Sequence, residues 1–216
     1  MNAVEKFQMA AIYPVAASIV AGAPRGDGHT VIVLPGFFTG PHHTLLLRTV
    51  LAHAGYRAID WGSGFNMGPS TELTKHLNML LRSNHEIFGK VSLVGWSLGG
   101  LLARAMANSQ PDLVRNLVTL GSPHRADPNK SKLRPIFDLL SPTKLDEVSE
   151  EDLALVRKDP PVPVTTIYTK SDELVDWQDC VSDTAPNVEN VEVTGSHLML
   201  THNCVALRAI LEKLVL

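Results

Sequence analysis

Short apolar runs alternate with longer amphipathic stretches along most of this chain. Residues 30–34, Thr-Val-Ile-Val-Leu, form a nearly continuous apolar run, which is typical of a strand covered on both faces. Further strands are predicted at comparable runs, which cover residues 56–61, 91–94, 116–120, 164–168 and 188–193. Because helical patterns separate these runs, the sequence predicts an α/β fold with parallel strands joined by helices.

Amphipathic helices are predicted in the intervals between these runs. Apolar residues recur every three or four positions within 43–54, which is the spacing of one helix face. Ser70 is a suitable N-cap for a second helix, and residues 98–108 and 203–216 carry the same periodicity. The sequence therefore predicts a mostly parallel central sheet with helices on both faces.

The stretch from residue 125 to residue 163 interrupts this rhythm. It is charged, contains several prolines, and is too long for an ordinary connection between a strand and a helix. A short helix is predicted within it, where Ser149 and Asp152 form a capping-box-like start. Two interpretations stay open, a surface crossover helix and a small cap over a functional site, within a single domain spanning 1–216.

Composition is that of an ordinary globular protein and narrows the choice of partners. Hydrophobic residues make up 44% of the 216 positions, charged residues 19%, and the net charge is −3. Since no basic patch interleaved with aromatic residues is present, we expect no nucleic-acid partner. No run reaches the roughly 18 apolar residues of a membrane span, so no integral membrane segment is expected. Cys180 and Cys204 fit either one disulfide or two reduced thiols.

The N-terminal region has two interpretations that bear on localisation. Residues 9–23 are rich in small apolar side chains and end in Ala-Gly-Ala, which resembles the cleavage site of a leader peptide. Against a leader, Glu5 cancels the charge of Lys6, and Pro14 interrupts the apolar run. We therefore expect a helix packed on the domain of a cytoplasmic protein, with secretion by an atypical signal as the alternative.

Candidate chemistry begins with the segment 95–99, which reads Gly-Trp-Ser-Leu-Gly. This G-x-S-x-G motif follows a predicted strand and opens a predicted helix, the context in which a sharp turn exposes the serine. Glycine is required on both sides because the strained turn leaves no space for larger side chains beside it. Ser97 is therefore the candidate nucleophile.

A serine hydroxyl is a weak nucleophile at neutral pH, so a base must accept its proton and an acid must orient that base. For a serine on such a turn, the acid follows a later strand and the histidine follows the last one. Asp172 comes shortly after the predicted strand 164–168, and His197 comes after 188–193. The sequence predicts a catalytic triad of Ser97, Asp172 and His197.

Other residues compete for the roles of acid and base. Glu173 and Asp176 lie in the loop of the candidate acid, although Asp176 is about a helical turn further on. His202 lies closer to the final helix than the candidate base, and His124 precedes the acid in the chain. No pair of histidines has the spacing and flanking glutamate of a zinc site, so no metal is expected.

Backbone N–H groups are expected to stabilise the negative oxygen of a tetrahedral intermediate. One is that of Leu98, directly after the candidate nucleophile, and the other is that of Phe37, after the strand 30–34. Gly36 permits the turn that directs the second group into the site. Three aromatic residues are expected to line the mouth of the site and to bind substrate: Phe37, Phe38 and Trp96.

Six blocks stand in a fixed order along the chain: 31–37, 61–68, 95–100, 120–123, 171–177 and 195–197. Together they resemble bacterial α/β-hydrolases of the esterase/lipase type, over most of the chain from about Gly26 onward. The resemblance implies an α/β-hydrolase fold with the same triad and the same two oxyanion donors. One departure is Pro35-Gly36, where the lipase segment often begins with His-Gly. Because the donor is a backbone N–H, this change should not disable it.

The residues and the resemblance together predict a serine hydrolase that cleaves carboxylic esters through an acyl-enzyme intermediate, without a cofactor. The partner is expected to be a small-molecule ester with a short or medium acyl chain. An acyltransferase or thioesterase on the same triad is the alternative, because one fold supports several acyl-transfer reactions. A non-catalytic binding protein on the same scaffold is a further alternative, which the intact candidate triad disfavours.

Overall fold

The sheet has six strands that run parallel to one another, in the order β2-β1-β3-β4-β5-β6. The computed structural model describes residues 3–127 and 134–215. Its strands are β1 Thr30–Leu34, β2 Arg57–Asp60, β3 Val91–Trp96, β4 Val114–Leu120, β5 Val164–Tyr168 and β6 Val188–Glu192. The predicted parallel arrangement is therefore confirmed.

Helices connect these strands and precede the first of them. Their bounds are α1 Ala3–Val20, α2 Leu45–Ala54, α3 Thr71–Phe88, α4 Leu98–Ser109, α5 Arg134–Leu140, α6 Glu150–Arg157 and α7 Cys204–Lys213. Two of their starts were predicted from capping residues: the Ser70 hydroxyl accepts the N–H of Leu73 at 3.1 Å, and the Ser149 hydroxyl accepts that of Asp152 at 3.1 Å. Helix α5 was not predicted, since its seven residues are too few to display a clear periodicity.

Apolar side chains pack on both faces of the sheet. Strand β1 illustrates the alternation, because Val31 and Val33 belong to the core beneath α1, α2 and α7. Ile32 and Leu34, on the opposite face, belong to the core beneath α3 and α4. A strand buried on both faces reads as a continuous apolar run, which is why β1 was predicted with its exact bounds.

Helix α1 is packed on the domain, as expected for the N-terminal region. It contacts α2 and α7, and the guanidinium of Arg208 donates to the carbonyl oxygens of Ile19 and Ala21 at 3.1 and 2.8 Å. These bonds satisfy acceptors that the C-terminal end of the helix leaves free. Among the residues that the structure describes, no helix is long and apolar enough to cross a membrane.

The stretch 125–163 contains α5, a 3-10 turn at Leu145–Glu147, and α6. The fully buried guanidinium of Arg104, on α4, donates to the carbonyl oxygens of Val156 and Lys158 at 2.7 and 3.1 Å. It also donates to the Asp159 carboxylate at 2.6 Å. The C-terminal end of α6 is therefore fixed to α4 by a paired, buried charge.

Parallel strands bring the loops after their carboxyl ends to one edge of the sheet. The loop after β1 contains Phe37, the turn after β3 contains Ser97, and the loop after β5 contains Asp172. The loop after β6 contains His197, at the start of the 3-10 turn His197–His202. Residues far apart in the sequence therefore meet at this edge.

Candidate active site

Ser97 lies in a strained turn between β3 and α4. Its backbone angles are φ 54° and ψ −124°, a region that residues with a side chain rarely adopt. The N–H of Ser97 donates to the carbonyl oxygen of Leu120 at 2.8 Å, which fixes the turn to the end of β4. Ser97 also lines a cleft beside α4.

The glycines of the motif are required by close backbone contacts. A Cβ atom on Gly95 would overlap the carbonyl oxygen of Gly99 and the backbone of Gly100. A Cβ atom on Gly99 would overlap the carbonyl oxygens of Leu34 and Pro35. The spacing of glycines around the serine is therefore a packing requirement of the strained turn.

Asp172 and His197 form a hydrogen-bonded pair. His197 Nδ1 lies 2.6 Å from Asp172 Oδ2, and both side chains are buried. An Nδ1–H donated to the carboxylate leaves Nε2 as the nitrogen able to accept a proton. The other carboxylate oxygen, Oδ1, accepts the N–H groups of Leu174 and Val175, each at 2.9 Å. Burial alone would raise the pKa of Asp172, but the hydrogen bonds from His197, Val175 and Leu174 outweigh it and lower that pKa.

The backbone of His197 is held as well as its ring. The N–H of His197 donates to Glu173 Oε2 at 3.2 Å, and its carbonyl oxygen accepts the indole N–H of Trp96 at 3.1 Å. Glu173, a rival for the acid, thus contacts the backbone and leaves the ring to Asp172. Asp176, the other rival, is the N-cap residue of the 3-10 turn Trp177–Cys180.

Ser97 and His197 both lie against the end of β4. Ser97 is bonded to Leu120, and a Cβ atom on the next residue, Gly121, would lie 3.1 Å from His197 Nδ1. Within the residues that the structure describes, the Ser97 hydroxyl has no hydrogen-bond partner, so the bond to His197 Nε2 is not formed here. Such bonds are often long without substrate and tighten in the complex.

Two backbone N–H groups near Ser97 are available as donors. That of Leu98 begins α4 and therefore has no acceptor inside the helix. That of Phe37 makes no hydrogen bond within the described part of the chain. Gly36, beside it, approaches Ser97 so closely that a Cβ atom there would lie 3.3 Å from the serine Cβ. The loop after β1 thus adjoins the candidate nucleophile.

Asn66 holds the loop after β1 in place, a role that sequence reasoning missed. Its buried side-chain amide donates to Pro35 O at 2.7 Å, and its backbone carbonyl oxygen accepts the N–H of Phe38 at 2.7 Å. Its own N–H donates to Thr39 O at 2.8 Å. The sequence signal for this role is an asparagine within the glycine-rich loop 62–68. A polar side chain that becomes buried there needs a specific hydrogen-bond partner.

A cleft of about 570 Å³ opens beside Ser97 and runs between α3, α4 and the stretch from α5 to α6. Phe37 lines it, and its ring lies 5.0 Å from that of Phe137. Phe38 is 51% exposed and contacts the Phe65 ring at a centroid distance of 6.1 Å. The expectation that Trp96 lines the mouth is wrong, because its ring is only 3% exposed and packs in the core.

The remaining histidines have other surroundings. His124, a rival for the base, is buried, with Nε2 at 3.2 Å from Ser182 Oγ and Nδ1 at 3.3 Å from Ser122 O. Burial and the nearby Arg104 lower its pKa to about 4. The ring of His202, the other rival, lies 3.0 Å from Thr201 Oγ1. Across 3–127 and 134–215, no group of three His, Cys, Asp or Glu side chains is arranged to hold a metal ion.

A second Ser-His-Asp set, which the sequence did not suggest, lies near the amino ends of β1 and β3. His29 Nδ1 lies 2.5 Å from Asp27 Oδ1, and His29 Nε2 lies 2.6 Å from Ser92 Oγ. Arg115 also donates to the Asp27 carboxylate, at 2.5 Å. Ser92 is 0% exposed, whereas Ser97 is 8% exposed and borders the cleft. Since Ser92 is inaccessible to a substrate, the set at His29 is not a candidate active site, and its hydrogen bonds join the loop before β1 to β3.

The two cysteines are free thiols. Cys180 is buried and Cys204 is exposed at the start of α7. Burial raises the pKa of the Cys180 thiol above its ordinary value, so this group stays protonated at neutral pH. The sequence is compatible with one disulfide or with two reduced thiols, and the structure has two reduced thiols.

The chain is similar to a known protein family over part of its length. A model of the PGAP1-like alpha/beta domain matches residues 65–155, a segment that includes Ser97. No curated protein sequence matches the chain.

Solved structures of similar fold include lipolytic enzymes and a thioesterase domain. A structure from a report on LipS and LipT, two metagenome-derived lipolytic enzymes, is 15% identical, with TM-score 0.63, and the match covers 87% of this chain and 94% of that one. A monoacylglycerol lipase from Paleococcus ferrophilus is 17% identical, with TM-score 0.61, covering 87% and 96%. A thioesterase domain from the curacin biosynthetic pathway is 17% identical, with TM-score 0.56, covering 86% and 91%.

The parallel sheet, the strained serine turn after β3 and these structural neighbours lead to one conclusion about the architecture. The chain has the α/β-hydrolase fold.

Proposed function

We propose that this protein is a serine hydrolase that cleaves carboxylic esters through an acyl-enzyme intermediate, with Ser97, His197 and Asp172 as its triad. The observation that carries the proposal is the 2.6 Å pair of Asp172 and His197 at the sheet edge that also bears the strained Ser97 turn. Ser97 and Phe38 are the two non-glycine residues with a positive φ in the described part of the chain, and such strain clusters at functional sites.

The first half of the reaction acylates Ser97. Its Oγ attacks the ester carbonyl carbon while His197 Nε2 takes the hydroxyl proton, and the Asp172 carboxylate stabilises the resulting imidazolium. The carbonyl oxygen becomes an oxyanion that accepts hydrogen bonds from the N–H groups of Leu98 and Phe37. Each such donor is commonly worth about 3 kcal/mol of transition-state stabilisation. The C–O bond then breaks, and the leaving alcohol takes the proton from His197.

The second half returns the enzyme to its starting state. Water attacks the acyl carbon while His197 Nε2 takes one of its protons, and the same two N–H groups stabilise the new oxyanion. The bond to Ser97 Oγ breaks, the serine recovers its proton from His197, and the carboxylic acid leaves. The proposed cycle uses only groups of the chain and water.

A thioesterase or acyltransferase is the second candidate, since the same acyl-enzyme serves all three reactions. The similarity to a solved thioesterase domain supports the thioesterase as an alternative. The reactions separate in a direct comparison of oxygen esters with matched acyl thioesters, and in the partition of the acyl group between water and an added alcohol. A preference of more than about tenfold in kcat/KM for the thioester, which is about 1.4 kcal/mol in transition-state binding, would replace the ester proposal.

The proposal is tested by labelling the protein with a fluorophosphonate probe and measuring hydrolysis of p-nitrophenyl butyrate. The wild-type protein should take up one label, on the peptide that contains Ser97, and should turn over the ester. Ser97→Ala should lose both properties while keeping its circular dichroism spectrum, because the hydroxyl contributes little to packing. Ser92→Ala is the matched control, since it removes the other histidine-bonded serine and should keep both.

Peptide mapping of the labelled wild-type protein identifies the labelled residue directly, without a variant. A non-catalytic binding protein would take up no label at all. Ester hydrolysis that persists in Ser97→Ala would overturn the proposed mechanism.

A further inference from the structure

We propose that the cleft along α4 binds a single linear acyl chain of medium length, about twelve carbons, with its carboxyl carbon at Ser97. This inference rests on the proposed function and specifies the acyl group that the site accepts. It is carried by three features of the cleft: its apolar floor, its walls, and the point at which it ends.

The floor of the cleft is one face of α4. Apolar residues recur there at intervals of three and four positions, which places them in a continuous stripe: Leu98, Leu101, Leu102 and Ala105. Each of these side chains is only partly buried, whereas Ala103, Met106 and Ala107 of the same helix are buried in the core. An apolar stripe that the protein covers only in part, next to the proposed nucleophile, is suited to an apolar part of the substrate.

The walls of the cleft come from separate parts of the chain. Val148, Leu153 and Val156 contribute apolar side chains from the stretch that includes α6, and Phe137 contributes one from α5. Arg104 fixes the C-terminal end of α6 to α4, so this wall is part of the packed domain. A preformed apolar wall lowers the entropic cost of ordering a flexible chain.

The cleft ends near the C-terminus of α4. Ser109 and Asn78 both line it, and Nε2 of Gln110, the residue after α4, donates to Asn78 Oδ1 at 2.6 Å, which joins α3 to the end of α4. From Ser97 to Ser109 the helix rises about 16–18 Å at 1.5 Å per residue. An extended carbon chain advances about 1.25 Å per atom, given C–C bonds of about 1.5 Å, so about twelve to fourteen carbons fill this length.

The cleft predicts a dependence on chain length with two regimes. Each methylene group that moves from water into the cleft should raise kcat/KM about fourfold, the fold-change that corresponds to the usual transfer energy of a CH₂ group. Beyond about twelve carbons the rise should stop, because added methylenes no longer find apolar surface. The measurement is kcat/KM for p-nitrophenyl esters from acetate to palmitate, below the concentrations at which they aggregate.

A substitution in the floor sharpens the test. Ala105 lies about 12 Å along α4 from Ser97, and Ala105→Trp should block the distal part of the cleft. The ratio of laurate to butyrate turnover should fall by at least about tenfold, since several buried methylenes are displaced. Ala154→Trp is the matched control, because Ala154 is exposed on α6 and does not line the cleft. That variant should keep the wild-type ratio.

Binding measured without turnover separates this inference from the proposed function. Calorimetry with laurate and butyrate on Ser97→Ala should show laurate binding that Ala105→Trp, introduced into the same background, abolishes. Ester hydrolysis with no preference for laurate over butyrate would overturn the acyl cleft and leave the hydrolase proposal standing. Laurate binding by a protein that hydrolyses no ester would overturn the hydrolase, and with it the placement of the carboxyl carbon at Ser97.

Discussion

Trp96 donates its indole N–H to the backbone carbonyl oxygen of His197 at 3.1 Å, although 101 positions separate the two residues in the sequence. Trp96 immediately precedes Ser97, so the proposed nucleophile and the proposed base are joined by a bond that involves neither reacting group. Both rings are buried and lie 5.9 Å apart. The first variable position of the G-x-S-x-G motif therefore has a specific hydrogen-bond partner in this protein.

Replacing Trp96 with phenylalanine should lower kcat about tenfold while changing KM less than about twofold. The substitution keeps an aromatic ring in the core but leaves a buried carbonyl oxygen without its donor, a loss of about 1–3 kcal/mol. Since the His197 loop would then be less well fixed, the reaction step should suffer more than substrate binding. Steady-state kinetics on p-nitrophenyl butyrate measures the split between the two constants.

Trp177→Phe provides the comparison for this change. The Trp177 ring stacks on Tyr168 at 5.5 Å, near the Asp172 loop but without a bond to His197. Equal losses of kcat in the two variants would mean that the hydrogen bond from Trp96 has no special role.

Asp172→Asn should lower kcat by about 10³- to 10⁴-fold, as loss of the orienting carboxylate does in comparable triads. An amide at this position favours the wrong histidine tautomer, in which Nε2 carries the proton. Asp176→Asn should lower kcat less than about threefold, because Asp176 begins a 3-10 turn and does not contact the His197 ring. Reversal of this order would transfer the acid role to Asp176.

Asn66→Ala should lower kcat about 30-fold or more by loosening the loop that presents the Phe37 N–H. The variant removes the 2.7 Å bond to Pro35 O, and the loop would then misplace one of two proposed oxyanion donors, each worth about 3 kcal/mol. A transition-state analogue such as a boronic acid should lose affinity by a similar factor. Unchanged affinity for the analogue, in a variant that is still folded, would remove Asn66 from the positioning of this loop.

His124 should make the protein less stable in mild acid. Burial and Arg104 lower the His124 pKa from 6.5 to about 4 in the folded state, so the unfolded chain takes up the proton first as pH falls. Stability is therefore lost between about pH 6.5 and pH 4, by about 3 kcal/mol in all for this group. Urea unfolding at a series of pH values measures how steeply the free energy of unfolding changes with pH.

His124→Gln should flatten this slope, while His42→Gln, at an exposed position, should leave it unchanged. Some slope will persist in the variant, because burial also lowers the pKa values of His29, His43 and His202. An identical slope in the wild type and in His124→Gln would contradict the assignment.

Much of the fold could be predicted from local sequence patterns. Strand β5 has the predicted bounds because its residues are buried on both faces and bounded by turn residues. The order in which Ser97, Asp172 and His197 follow their strands also comes from local patterns, since each lies just after a strand end. Helix α5 was missed because its seven residues carry little periodicity.

The contacts that organise the site could not be predicted in the same way. Asn66 bonds to a residue 31 positions away in the sequence. The sequence predicts Trp96 as a substrate contact because an aromatic residue beside a candidate nucleophile is compatible with substrate binding and with core packing, and the structure buries it. Such bonds depend on which loops meet at the sheet edge and on the direction of single side chains. Neither quantity has a periodic signature in the sequence.

The set of Asp27, His29 and Ser92, in which the histidine and the serine are buried, has a consequence for the search for enzymes by geometric templates. A template made only of a carboxylate, an imidazole and a hydroxyl at hydrogen-bond distance would select this set, whose His29–Ser92 distance of 2.6 Å is well formed. It would pass over Ser97, whose hydroxyl is not bonded to His197. In this molecule, access to solvent and the backbone angles of the serine select the proposed nucleophile, whereas the completeness of its hydrogen bonds does not.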